Sequence, residues 1–518
     1  MKQIWILLLS LLCLTACHKE KGGSMCALNI NFQEGDLPSL HPHDLVVHLR
    51  GLSLSKSLFE GLTRISADGK AKLAGAISVE VSPDGLTYTF TLRDNHWSNG
   101  EPVTAAHYAQ AFKTALSPLS TCGRTNLLYI LKNGEEAKKG QVPLEQVGVR
   151  AINTNTLELT LAYPSPFLLE LLSQPICAPL LHAEEKQVTT FNGPFLVESW
   201  ERGQHLRLKP NPHFWDRAHI ALKQINISML QDISTGFAAY EQGNLHWAGA
   251  PIMPLSVEQV SHLQQKGLLR SHTADRIFWV FLNTTLPPLS SPKIRQALSM
   301  SLNRTTITDH IFINGIPLSK PFPSSVLART PAHLLTEDLQ KAQTLFQEGL
   351  DELGLIRETF PTLNISFACL ANRKQLAEYL CETWQKAFHI PVRLDMQEWN
   401  VLRARLDQGQ FQIAGCTEAP YYRDPIEIFE RFTSKIPGNF SGWTNPQFTQ
   451  IIFSAKREGD LEKRLDLVAK AEQILIDEMP FIPICNDRFF FTHTQSLHGY
   501  VFDSLGAIDF SYAALKAG

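Results

Sequence analysis

The sequence predicts a mixed α and β chain folded in several lobes, and three observations lead there. Its 518 residues suffice for about three units of ~150 residues each. Two stretches in the first third alternate apolar and polar residues around turn-forming residues, as antiparallel hairpins do. A later stretch, residues 363–396, reads strand, helix, strand, which calls for a local parallel pair joined by a right-handed crossover.

The N-terminus "MKQIWILLLSLLCLTAC" carries Lys2, an apolar run from Ile4 to Leu14, and small residues before Cys17. The run is shorter than the ~20 residues a membrane span needs but suits the core of a secretory signal. "LTAC" resembles a bacterial lipobox. That implies a signal peptide over 1–16, lipidation of Cys17, and a polar tether within 17–25 that anchors an exported lipoprotein to a membrane. A short buried N-terminal helix is the alternative.

Residues 77–93 form the first expected hairpin. "ISVEV" and "LTYTFTLR" flank "SPDG", with Leu86, Tyr88, Phe90 and Leu92 on one face. "VGVRAI" and "TLELTLAY", joined through "NTNT" at 153–156, form the second. "LNISFACL" (363–370) reads as a strand, and "PVRLDM" (391–396) as its parallel partner. Between them Leu376, Leu380, Trp384 and Phe388 recur at helical spacing. A second amphipathic helix covers 461–478, with Leu465, Val468, Leu475 and Ile476 on its apolar side.

"DNHWSNGEPVTAAHYAQAF" (94–112) gathers histidines, a glutamate and aromatics beside a turn, the residue types of which active sites are built. Each residue has a structural use instead. Asn99-Gly100 supplies the turn, Thr104 caps a helix, and Val103 is placed to pack on Tyr108. His107 either contacts the cap or faces water. No nucleophile–base–orienter arrangement is visible.

Composition narrows the function classes. Hydrophobic residues make up 44% and charged residues 19%, with a net charge of -3. That excludes a disordered chain and the basic excess needed to bind nucleic acid. Of nine cysteines, Cys13 lies in the signal and Cys17 is the lipid site. The remaining seven show no CxxC spacing, so neither a zinc ribbon nor a thioredoxin site is indicated. An odd count leaves at least one thiol unpaired, and burial as small hydrophobes is the plain reading. GxSxG, HExxH and the P-loop pattern are absent, which speaks against a surface hydrolase.

The stretch "DGLTYTFTLRDNHWSNGEPVTAAHYAQAF" resembles the signature region of the family 5 extracellular solute-binding proteins, the oligopeptide- and dipeptide-binding receptors of ABC importers. "LFEGLTR" (58–64), "VGVRAINTNTLELTLAYPSPF" (147–167), "NGPFLVESWERGQHLRLKPNPHFWD" (192–216), "IRQALSMSLNR" (294–304) and "AEQILIDEMPFIPI" with "HGY" (498–500) resemble further segments in the same order. The resemblance implies an α/β fold of two lobes, the periplasmic-binding-protein clamshell (type II, cluster C-like), with an additional domain on one lobe. Lobe I would comprise 26–56, 186–283 and 488–518, the extra domain 57–185, and lobe II 284–487. The implied protein is a monomer without cofactor or metal. It is anchored through its lipid on the periplasmic or outer-surface face of a cell membrane, and it hands peptides to an ABC permease and its ATPase subunits.

In the family a peptide lies extended between the lobes, pairing by strand addition, and an aspartate in a D-x-x-D/E-P stretch holds its α-amine. Here the matching stretch is "GCTEAPYYRDPIEIF" (415–429). Asp424-Pro425 aligns, but Tyr421 stands where the amine-binding acid is expected, and a phenol carries no charge near neutral pH. Glu418 and Asp424 are the remaining acids. Trp399 matches an indole that lines a side-chain pocket, with a core tryptophan as the alternative. Trp279 or Phe281 is expected to pack on the ligand, alternation turning only one side of their strand inward. The backbone near His48 matches a ligand-pairing segment. Gly415 occupies a position where an arginine would receive the ligand's carboxylate, which leaves Arg403 and Arg405 as candidates. The missing amine clamp opens a second reading, a member that binds an amine-blocked or non-peptide solute such as a cell-wall peptide. "HPHD" (41–44) with His48 also permits a metal-chelate ligand, although these histidines read more simply as loop residues. A third class is an adhesive or holdase-like surface lipoprotein without transport.

Overall fold

Three sheets of four or more strands carry the fold in this computed structural model, which describes residues 26–516 apart from 184, 186, 314 and 435–437. In the first lobe, Ala27–Asn31 runs parallel to Gln224–Ser228, followed in antiparallel order by His205–Pro210 and Phe195–Glu201. Leu28, Ile30, Leu206, Leu208, Ile225 and Ile227 recur at period two and fill one face.

Both hairpins join into one antiparallel sheet, in the order Ala76–Val81, Thr87–Leu92, Thr156–Thr160, Val149–Asn153. Gly85, at φ +69°, makes the first turn with a conformation glycine adopts freely. Phe90, Leu157 and Leu159 pack under Tyr108 and Phe112 of the helix Ala105–Leu116. His107 serves the fold. Its Nδ1 accepts from the Thr104 amide at 3.1 Å and from Trp97 Nε1 at 3.2 Å, and burial lowers its pKa.

The second lobe is built on the strand–helix–strand unit. Leu363–Ala368 and Val392–Gln397 are parallel, linked by the helix Ala371–Phe388, and Ile413–Glu418 runs parallel on the other side. Leu376, Leu380, Trp384 and Phe388 are all buried under the sheet. The helix Leu461–Glu478 covers the opposite face, starting at the Asp460 cap and ending at Met479 in the left-handed region.

Two strands of 13 residues, Arg270–Leu282 and Phe481–His493, tie the lobes together. Each runs ~43 Å at ~3.3 Å per residue. The far end of the second strand enters the first-lobe core, where Phe491 stacks on Trp247 at 4.6 Å, and Arg270 of the first strand pairs beside it. Their pairing is interrupted between Thr273 and Ile277, a bulge at mid-length of the crossing. From Ile277 onward the first strand pairs with Ile413–Glu418 and packs in the second lobe. Residues 277–282, expected in lobe I, pack against side chains of residues 289–484 on both faces of the sheet.

Candidate functional site

The three parallel strands of the second lobe end on one edge, the carboxyl edge where α/β sheets place ligands. Ala368 ends the first strand and Leu370 and Arg373 follow it, Trp399 follows the second, and Thr417 and Glu418 close the third with Ala419 next. Across from them stand Val47 and Leu49, with Arg124, Thr125 and Tyr129 of the extra domain. The cavity between holds about 680 Å³, within the ~300–1,000 Å³ of small-molecule sites. An open trough of about 800 Å³ lies along Thr433–Arg457. It is bordered by that one segment of the second lobe, so it lacks the convergence of lobes that marks the cleft.

The structure brings together Trp399, Gly415, Glu418 and Tyr421 of the expected residues. Trp399 opens the helix Trp399–Asp407 and is 44% exposed, a cleft wall rather than a core residue. Gly415 lies on the floor, where an added Cβ would meet Phe367 Cε1 at 2.5 Å and Phe278 Cζ at 2.7 Å. Its lack of a side chain follows from that packing.

Glu418 is committed to the protein. Its Oε2 accepts from Arg431 Nη1 at 2.7 Å, and the same guanidinium binds Glu427 at 2.9 Å. Burial raises the pKa of Glu427, against the pull of Arg431. Tyr421 is also engaged. Its hydroxyl donates to Val46 O at 3.2 Å, Gln174 Nε2 donates to its carbonyl at 3.0 Å, and burial raises its pKa. With Arg423 Nη1 donating to Gly69 O at 3.3 Å, this segment is fastened to the first lobe and extra domain.

Four expected residues do not line the cleft. Trp279 and Phe281 are 0% and 1% exposed, packed with Phe481 and Phe440 behind the sheet. They share one face of their strand, and that face is turned into the core. Asp424 pairs with Arg464 at 2.5 Å in the interior. His48 sits at the N-terminal boundary of the helix Leu49–Leu58 without a side-chain capping bond and is exposed, while its neighbours Val47 and Leu49 reach the cleft. Of the two candidate carboxylate partners, Arg403 lines the cleft and binds Asp407, while Arg405 binds Asp395 outside it.

Two further arginines emerge. The Arg373 guanidinium lies 3.9 Å above the Phe278 ring and donates to Thr417 Oγ1 at 3.1 Å, leaving Nη1 buried without an acceptor. Burial lowers its pKa, a cost that a bound carboxylate offsets. Arg124 lies 4.8 Å over the Tyr421 ring, its Nε buried and likewise unbonded. Arg373 had a signal in the sequence, since it follows the end of a parallel strand. Arg124 had none, sitting in an irregular turn before Thr125–Ile130.

A pocket walled by two lobes, with arginines and aromatics facing inward, defines a solute-binding protein of the two-lobed clamshell type. Comparison with known proteins gives the same answer. The family model of the bacterial extracellular solute-binding proteins, family 5 (middle), matches residues 70–440. The oligopeptide-binding protein OppA of Bacillus subtilis is 32% identical over 551 aligned positions, covering 100% of both chains. The periplasmic murein peptide-binding protein MppA of Escherichia coli is 24% identical, covering 85% of this chain and 84% of that one. Among solved structures, a periplasmic oligopeptide-binding protein of Borrelia burgdorferi superposes with a TM-score of 0.81 at 22% identity. It covers 95% of this chain and 100% of that one, and at that identity the likeness speaks for the fold. The chain belongs to family 5 of the bacterial extracellular solute-binding proteins.

Proposed function

We propose that this protein is the substrate-binding component of an ABC importer. It captures short peptides between its lobes and delivers them to a membrane permease. The observation that carries the reading is the cleft at the carboxyl edge of the parallel strands, closed from above by the extra domain. Closure on the ligand supplies the signal to the permease, a hinge transition favoured by contacts made only when both lobes touch the solute. Signal cleavage and lipidation at Cys17, within residues that lie outside the described structure, would hold it at the membrane as a monomeric lipoprotein; among the described residues no helix is long and apolar enough to cross a membrane. In this reading 26–56, 186–276 and 488–518 form lobe I, 57–185 the extra domain and 277–487 lobe II.

A second reading, an amine-blocked peptide such as a cell-wall fragment, is favoured by one observation. Glu418 and Glu427 share Arg431, and Tyr421 is bonded to Val46, so among the described residues the acids of this segment already hold a cation before an ammonium arrives. The relation to a murein peptide-binding protein supports it further. Calorimetric titration of ligand-stripped protein with tripeptides, free or N-acetylated, separates the two. Equal affinity supports the blocked ligand, a strong preference for the free amine supports ordinary peptides, and no binding of either rejects peptide capture. Mass spectrometry of the membrane-extracted protein tests Cys17, a diacylated N-terminal cysteine being the expected result.

A further inference from the structure

Every carboxylate that lines the cleft is already held by a protein cation. Glu135 binds Lys139 at 2.6 Å, Glu418 and Glu427 bind Arg431, and Glu430 binds Lys456 at 3.1 Å. The cations are not matched in the same way. Arg276 pairs with Asp487 at 3.2 Å and Arg403 with Asp407 at 3.0 Å. Arg124 and Arg373 alone among the lining cations have no carboxylate partner among the described residues.

These two face the cavity from different bodies, Arg124 from the extra domain and Arg373 from the second lobe. Each lies over an aromatic ring, Tyr421 and Phe278 respectively, which fixes the guanidinium plane. A planar guanidinium so held presents its remaining N–H groups for a bidentate bond to carboxylate. In a cavity shielded from water such a bond is stronger than in solution. A solute ammonium entering the same space meets carboxylates that each already hold a protein cation, Glu427 keeping only its buried Oε2 unbonded. We propose that the cleft selects peptides bearing at least two negative groups, one taken by Arg124 and the other by Arg373, so that charge on the ligand draws extra domain and second lobe together. The inference rests on the reading of the cleft as a peptide site and specifies which peptides.

The test compares N-acetyl-Ala-Glu-Ala with N-acetyl-Ala-Gln-Ala by calorimetry on ligand-stripped protein, two ligands of similar shape that differ by one negative charge. The glutamate peptide is expected to bind about ten- to hundredfold more tightly, the worth of one hydrogen-bonded charge pair. The ratio should shrink as salt is raised. Arg124→Gln and Arg373→Gln should each bring the ratio close to one, with melting temperatures confirming that both fold. Arg329→Gln, on the outer surface with Glu462 and Asp466, should retain the wild-type ratio. Equal, measurable binding of both peptides by the wild type overturns the charge selection and leaves the peptide site standing. A ratio that survives both substitutions overturns the assignment to these arginines. Binding of neither peptide overturns the selection together with the peptide reading itself.

Discussion

Replacing Asp424 by asparagine separates a structural carboxylate from a ligand-binding one. The Asp424 and Arg464 side chains are 2% and 1% exposed, joined through Oδ2 and Nη2 at 2.5 Å. Arg464 Nε and Nη1 have no other acceptor, and the guanidinium sits 5.7 Å from the Phe167 ring. Asparagine keeps the shape and removes the charge, so a buried guanidinium loses its only counter-ion among the described residues. Breaking one partner of such a pair costs about 3–5 kcal/mol. For a lobe of roughly 200 residues, each kcal/mol moves Tm by about 2–4 °C, so the lobe should melt ~6–20 °C lower. Calorimetric melting of ligand-free protein reads the shift, and titration of the same sample reads peptide affinity, which should change less than tenfold. Asp424→Leu with Arg464→Met should recover most of the loss, since an apolar pair of similar volume replaces a buried ion pair without an orphaned charge. A peptide affinity that falls more than tenfold at unchanged Tm would refute the reasoning and return Asp424 to the binding site.

Glu472 is buried with Oε2 unbonded, and burial raises its pKa to about 7. An acid whose folded pKa lies above its unfolded value destabilises the fold progressively as pH rises from about 4.5 to about 7. Glu472→Gln should therefore match the wild type near pH 4 and be more stable by about 3 kcal/mol above pH 7, as urea titrations at both pH values would show. Gly415→Ala should cost about 1–3 kcal/mol by overpacking Phe367 and Phe278; it should also weaken peptide binding, because Arg373 rests on the displaced Phe278 ring. Tyr421→Phe removes a hydroxyl that reaches Val46 O, about 1 kcal/mol, so stopped-flow release of peptide should be a few-fold faster.

Much of the fold was legible because its elements are locally consistent. Both hairpins, the helices Ala371–Phe388 and Leu461–Glu478, and the parallel pair follow from period and turn residues alone. Gly85 and Met479 end their segments in the left-handed region, which glycine adopts freely and methionine at a local cost. The two crossing strands were harder, since a run such as "IFWVFLN" (277–283) is apolar on both faces when buried on both. For that reason Trp279 and Phe281 looked equally available to a ligand, whereas the sheet covers both sides of their strand. The site was legible where it depends on strand ends, as with Trp399 and Glu418. It was not legible where partners come from distant sequence. Arg431 on Glu418, Arg464 on Asp424 and Val46 on Tyr421 are contacts across 13, 40 and 375 residues, and they decide which charges are left for a solute.

The central claim, that peptide sits between the lobes, is tested most directly by blocking the cleft. Val47 and Leu370 are exposed residues on its opposite walls, so Val47→Trp and Leu370→Trp add bulk inside the cavity with little demand on the core. Ser454→Trp fills the outer trough along Thr433–Arg457 instead. Calorimetric titration of the three folded variants with a peptide that the wild type binds should show affinity lost in the first two and retained in the third. Affinity retained by both cleft variants and lost in Ser454→Trp would contradict the account and move the ligand to the trough.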